Sequence, residues 1–189
     1  MTRARIVVVG ASAGAIEAMQ AILPALPADF PAPVLVVIHV PADRKSLIPD
    51  VLQPHCALTL REAQDKEPAL PGTVYFAPPD YHLLVERDGL LSLSSEEPVL
   101  FSRPSIDVLF ETAAEAFRSA TAAVVLSGAN SDGAQGAARI ARAGGAVLVQ
   151  SPETAAAKAM PLAALAACPG AVVLPPSRIA EGLLRVMSK

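Results

Sequence analysis

Cysteine is nearly missing from this 189-residue chain. Cys56 and Cys168 are too few for a disulfide framework, and neither lies in a C-x-x-C metal or redox pattern. They read as buried thiols in a reducing compartment. Basic clusters are missing too: 15 Lys and Arg are scattered among 18 Asp and Glu, for a net charge of −3, which excludes a nucleic-acid-binding face. No internal repeat and no shift of composition marks a boundary. Residues 1–189 therefore read as a single domain, long enough for a substantial core.

Two segments imitate signals that the chain lacks. Thr2-Arg3-Ala4-Arg5 ahead of the run Ile6 to Ile16 has the order of a signal peptide, basic then apolar, yet a strand and a tight turn explain the same residues better. Residues 159–176 carry no charge over a membrane-spanning length. They are mostly alanine and are interrupted by Pro161, Pro169 and Gly170, so they read as a buried helix followed by a strand at 171–174. No membrane insertion is expected. His55 beside Cys56 suggests a metal pair, but adjacent strand residues point to opposite faces. No metal and no other cofactor is expected.

What is present begins at residue 6. The apolar run Ile6 to Val9 leads into Gly10-Ala11-Ser12-Ala13-Gly14, the G-x-S-x-G pattern of a serine on a sharp strand-to-helix turn. Small neighbours are a steric necessity there, and the hydroxyl stands at a helix N-terminus whose free N–H groups can stabilise an oxyanion. Phosphate-binding loops compete for this segment. The dinucleotide fingerprint needs glycines where Ser12 and Ala15 stand, and a P-loop needs a Gly-Lys pair that is absent. A dinucleotide site also asks for an acidic residue at the end of the second strand. This chain has His39 there.

His39 closes the second apolar run, Val34 to Ile38, and is followed by Val40-Pro41. In a parallel sheet the C-terminal ends of strands share one edge, so Ser12 and His39 are candidates for one crevice. The third apolar run, Thr121 to Leu126, leads through Ser127-Gly128-Ala129-Asn130-Ser131-Asp132-Gly133 into an Ala-rich helical stretch. Asp132 is expected near a positive helix end that keeps it ionised, either as a plain N-cap or as the carboxylate that orients the imidazole.

The spacing predicts strands near 5–9, 34–38, 57–61, 122–127, 146–149 and 171–174, with helices near 14–26, 45–53, 132–143 and 177–187. Such alternation predicts an α/β fold: three layers, doubly wound, a mainly parallel sheet with helices on both faces. Residues 73–76, 82–86 and 90–94, with Asp88-Gly89 as a turn, read as a short antiparallel hairpin. Residues 105–118 read as an amphipathic helix burying Ile106, Leu109, Phe110, Ala113 and Phe117.

The chain order Ser12, His39, Asp132 differs from that of α/β-hydrolases. Gly10-Ala-Ser-Ala-Gly14, His39-Val-Pro41 and Ser127-Gly-Ala-Asn-Ser-Asp132-Gly-Ala134 together resemble the catalytic domain of the chemoreceptor protein-glutamate methylesterases, the CheB type. Phe76-Ala-Pro-Pro-Asp-Tyr-His82, Arg103-Pro-Ser-Ile-Asp-Val-Leu-Phe110 and Ala159-Met-Pro161 extend the resemblance over nearly the whole chain. It implies a cytoplasmic serine hydrolase in chemosensory adaptation. The substrates implied are methyl esters on glutamate side chains of chemoreceptor cytoplasmic helices, with deamidation of receptor glutamines as a second activity.

By the same resemblance Ser12 is the nucleophile, His39 the general base and Asp132 the orienting carboxylate. The backbone N–H of Ala13 and of the Ala129 or Asn130 turn are the oxyanion donors. His82, Arg103 and Met160 fall on the substrate rim, with structural hydrogen bonding as the other reading of His82 and a solvated or cap-bound guanidinium as that of Arg103. The family usually has Thr-Gly-Gly after the serine and Met-Gly at 129–130, where this chain has Ala13-Gly14-Ala15 and Ala129-Asn130. It also usually carries a receiver domain ahead of the catalytic one, so the expectation here is a stand-alone esterase. A receptor-binding regulator that has lost activity and a small-molecule esterase or amidase are the alternatives.

Overall fold

Ile6–Ala11 (β1) is buried at all six positions, Val34–Ile38 (β2) and Thr121–Val125 (β7) at all five, which is the pattern of strands covered on both faces of a parallel sheet. The period of two divides their side chains between two cores. Val7, Val9, Val34, Val36, Ile38, Ala122 and Val124 belong to one; Ile6, Val8, Leu35, Val37, Ala123 and Val125 belong to the other. The computed structural model describes residues 5–40 and 46–188. Pro41, expected to stop the second strand, and Thr2-Arg3-Ala4 lie outside them.

Between β2 and β7 come Thr59–Glu62 (β3), Thr73–Phe76 (β4), His82–Val85 (β5) and Leu91–Ser94 (β6); Ala146–Gln150 (β8) and Val172–Leu174 (β9) follow β7. Seven strands form one sheet in the order β3-β4-β2-β1-β7-β8-β9, and each of its pairings is parallel. β5 and β6 pair antiparallel as a separate ribbon. Thr73–Phe76 is therefore not part of the hairpin, as its short spacing to 82–86 suggested. It is inserted between β2 and β3, partners that no local pattern near residue 73 announces.

The helices are Ala15–Ile22 (α1), Ile48–Leu52 (α2), Ile106–Phe117 (α3), Ala134–Arg142 (α4), Ala159–Ala167 (α5) and Pro176–Met187 (α6). Ala18, Met19 and Ile22 of α1 and Ile179, Leu183 and Met187 of α6 fill the first core. Ile106, Leu109, Phe110 and Ala113 of α3, with residues of α4, α5 and the β5–β6 ribbon, fill the second. The result is the expected three-layer, doubly wound arrangement. From β1 the chain runs outward first through β2, then crosses back to β7 on the other side. β1 is thus the switch point, and the crevice of such a sheet opens beyond the C-terminal ends of the strands around it.

Candidate active site

Ser12, His39 and Asp132 follow β1, β2 and β7, the three central strands. Ser12 is half-buried, and the His39 side chain is 13 % exposed. The ladder continues just past the strands: the His39 N–H donates to Ala11 O at 3.1 Å and the Ser12 N–H to Ser127 O at 2.8 Å. These bonds hold the three chain segments in register at one edge. The turn after Ser12 closes through the Ala15 N–H to Ser12 O at 3.0 Å. Gly14 takes φ +81°, and a Cβ there would lie 2.7 Å from Ala156 Cβ; only glycine satisfies both demands. The buried Ser127 hydroxyl donates to Ala13 O at 2.6 Å and accepts from the Ala157 N–H at 2.9 Å, which fixes the peptide beyond the serine. Among the described residues the Ala13 N–H and the Ser12 hydroxyl have no hydrogen-bond partner.

Asp132 has no solvent exposure. Its carboxylate accepts from His39 Nε2 at 2.8 Å, Ser105 Oγ at 3.0 Å, the Ile106 N–H at 2.8 Å and the Asp107 N–H at 2.9 Å. Burial alone would push this carboxyl up. The hydrogen bond from His39 and the N–H groups of Asp107 and Ile106 outweigh it and hold the group below the usual carboxylate range. The positive helix end is thus the first turn of α3, not the start of the helix that follows Asp132 in sequence, whose cap is Gly133. An ionised carboxylate only accepts, so Nε2 carries the proton and Nδ1 is left as the lone-pair nitrogen of His39. No bond from Ser12 Oγ to His39 is formed among the described residues; such contacts tighten when substrate is bound.

Of the expected rim residues, two are interior. His82 is 2 % exposed: its Nδ1 accepts from the Ser105 N–H at 3.1 Å and its Nε2 donates to Glu97 O at 3.1 Å. Ser105 links it to Asp132, to which the Ser105 hydroxyl donates at 3.0 Å. Met160 is 1 % exposed and lies under Gly128, where a Cβ would come within 2.4 Å of its Cε. Arg103 does face the crevice, although its donors are used. Nε and Nη2 bind Asp80 Oδ1, and Nη1 binds Ser95 O and Glu96 O at 2.9 and 3.0 Å. Ala129 is exposed and Asn130 half-buried; Asn130 Oδ1 accepts from the Asp132 N–H at 3.1 Å, shaping the turn. Sequence reasoning missed Ser127 and Ser105 as positioning groups, because a single serine beside a motif carries no signal of its own. A cleft of about 270 Å³ is lined by His39, Val40, Asp80, Pro98, Phe101, Ser102, Arg103 and Pro104.

Residues 7–183 match the CheB methylesterase family model. The chain belongs to that family. A Leptospira interrogans serovar copenhageni relative, whose name gives the double activity of protein-glutamate methylesterase and protein-glutamine glutaminase provisionally, is 46% identical over 180 residues, 95% of this chain and 93% of that protein. A Bordetella parapertussis protein-glutamate methylesterase/protein-glutamine glutaminase is 40% identical over 184 residues, covering 95% of this chain and 52% of the other. The crystal structure of the Thermotoga maritima CheB methylesterase catalytic domain superposes with a TM-score of 0.93 at 34% identity, covering 98% of this chain and all of that one. Among the described residues no helix of this CheB-family chain is long and apolar enough to cross a membrane.

Proposed function

We propose that this CheB-family chain hydrolyses methyl esters on glutamate side chains of chemoreceptor cytoplasmic helices, in the cytoplasm, and deamidates receptor glutamines by the same route. The observation that carries the reading is the His39–Asp132 pair at 2.8 Å, seated one strand away from a serine on an elbow. Ser12 Oγ attacks the ester carbonyl while His39 Nδ1 takes its proton, and Asp132 stabilises the imidazolium. The oxyanion is met by the Ala13 N–H and by an N–H of the Ala129–Asn130 turn. A donor of this kind contributes roughly 10²–10³ in rate. The tetrahedral intermediate collapses, His39 returns the proton, and methanol leaves a glutamyl ester on Ser12. Water then attacks that ester with His39 as base, and a free glutamate departs. For a glutamine the leaving group is ammonia. Ala13 in place of the family's threonine keeps the backbone donor.

The test is methanol release from a methyl-labelled receptor fragment. Ser12→Ala removes the nucleophile and little buried surface, so release should fall to background with stability changed by no more than about 1 kcal/mol. Since the groups act as a unit, His39→Ala should cost nearly as much, and the double variant little more. Retention of most of the rate in Ser12→Ala would end the esterase reading.

A further inference from the structure

Leu100 and Phe101 stand at the tip of a two-residue turn. Val99 and Ser102 exchange backbone hydrogen bonds of 3.1 and 2.9 Å across it, and both tip residues have positive φ, 48° and 63°. That is the left-handed pair that a tight hairpin turn demands, normally supplied by Asn-Gly or Gly-Gly because bulky side chains resist it. Here the positions hold a leucine and a phenylalanine, half-exposed and fully exposed. Neither local propensity nor burial accounts for them, and such a departure from both rules points to a contact made with something else. The base of the tip is fixed by Arg103, which ties Asp80 to the carbonyls of Ser95 and Glu96, and Phe101 shares the cleft wall with His39.

We propose that Phe101, with Leu100 beside it, is the docking contact for the helix that presents the esterified glutamate. The inference rests on the function proposed above and adds what the enzyme grips. A glutamyl side chain long enough to bring its ester to His39 through this cleft leaves its own helix lying across the Phe101 tip. An apolar position on that helix, three or four residues from the glutamate and so on the same face, covers the ring. The occupant is thus an amphipathic helix of the receptor bundle rather than a small ester, which meets at most the cleft-side edge of Phe101 and leaves the rest of the fully exposed ring uncovered. The paired Val99–Ser102 hydrogen bonds hold the tip in shape, and Arg103 anchors it beside the cleft.

The experiment compares wild type with Phe101→Asn, since Asn adopts the left-handed region and preserves the turn. Methanol release is measured on a methylated receptor helix-bundle fragment and acyl cleavage on a short soluble ester. KM for the fragment should rise about tenfold with kcat moving less than about twofold, so the ratio of kcat/KM between fragment and short ester falls about tenfold. An unchanged KM, or an equal loss on both substrates, overturns the proposal. Binding of the fragment to Ser12→Ala, with and without Phe101→Asn, is the second measurement. Phe101-dependent binding without turnover by wild type keeps the docking site and removes the esterase reading. Self-association of wild type that Phe101→Asn abolishes, with fragment binding unaltered, assigns the tip to a second copy and overturns the proposal.

Discussion

A carboxylate with no solvent contact must fill its lone-pair directions with donors, and Asp132 takes three of its four from Ser105 to Asp107 at the start of α3. Its neighbour Asp107 lives in the opposite condition. Burial pushes its carboxyl up to about 6; the Gly136 N–H counters this, and the charges of Asp132 and Glu111 add to it. Two adjacent buried carboxyls are thereby driven apart, one ionised and one readily protonated. The sign for stability follows. Unfolded Asp107 releases its proton near pH 4, folded Asp107 near pH 6, so in that window the folded state holds more protons and stability falls as pH rises. The full penalty, on the order of 2–3 kcal/mol at 1.36 kcal/mol per unit, stands above pH 6. Asp132, held low, contributes the reverse slope at more acid pH. Asp107→Asn keeps an oxygen for the Gly136 N–H and removes the titration. Urea unfolding at pH 3.5, below the unfolded value, should show the two proteins nearly equal, and at pH 7.5 the variant should be more stable by about that amount. Parallel curves at both pH values would place the Asp107 carboxyl at its ordinary value.

Among the elements, the approach of α5 to the loop after β7 sets the shape of the Ala129–Asn130 turn. The Met160 N–H donates to Gly128 O at 3.0 Å and the Gly128 N–H to Ala157 O at 3.1 Å, while the Met160 thioether covers the space where a Cβ on Gly128 would stand. Gly128→Ala should therefore overpack, at about 1–3 kcal/mol, and slow the esterase by displacing the oxyanion turn. Met160→Ala alone should cost about 2–5 kcal/mol as a cavity. The double variant should cost clearly less than the sum, because the new methyl occupies vacated volume. Strict additivity in the cycle, read from denaturation midpoints, would show that the two side chains do not meet. This contact also shows where sequence reading stopped. The order of strands and helices, the elbow and both strand-end residues were legible, because each is written in local periodicity and small-residue spacing. Depth was not: Met160 and His82 look like rim residues in a motif, and only the packing of α5 and of the β5–β6 ribbon buries them. The helix end that stabilises Asp132 is hidden from sequence for the same reason. Sequence places α4 next to it, whereas the sheet brings α3.

At the scale of the whole molecule, the sheet separates two cores that share strands but no side chains. The catalytic edge draws on them unequally. The second core carries α3, whose first turn holds Asp132, whereas among the described residues α6 in the first core makes no hydrogen bond to Ser12, His39 or Asp132. Leu109 of α3 and Leu183 of α6 are both buried, at 0 % and 1 % exposure. Each truncation to alanine should cost about 2–5 kcal/mol, depending on how far the site collapses, out of a total stability of roughly 5–15 kcal/mol. Lying on opposite sides of the sheet, the two losses should add to within about 0.5 kcal/mol, with unfolding still a single transition. Their effects on rate should differ. A cavity under α3 lets its first turn shift against Asp132, and a misplacement of about 1 Å in such a group can cost on the order of 10²-fold. Measured well below both melting temperatures, kcat for methanol release should fall in Leu109→Ala and stay near wild type in Leu183→Ala. Equal losses of kcat at equal losses of stability would mean that the edge is held by the fold as a whole and that the α3 turn has no special hold on the base.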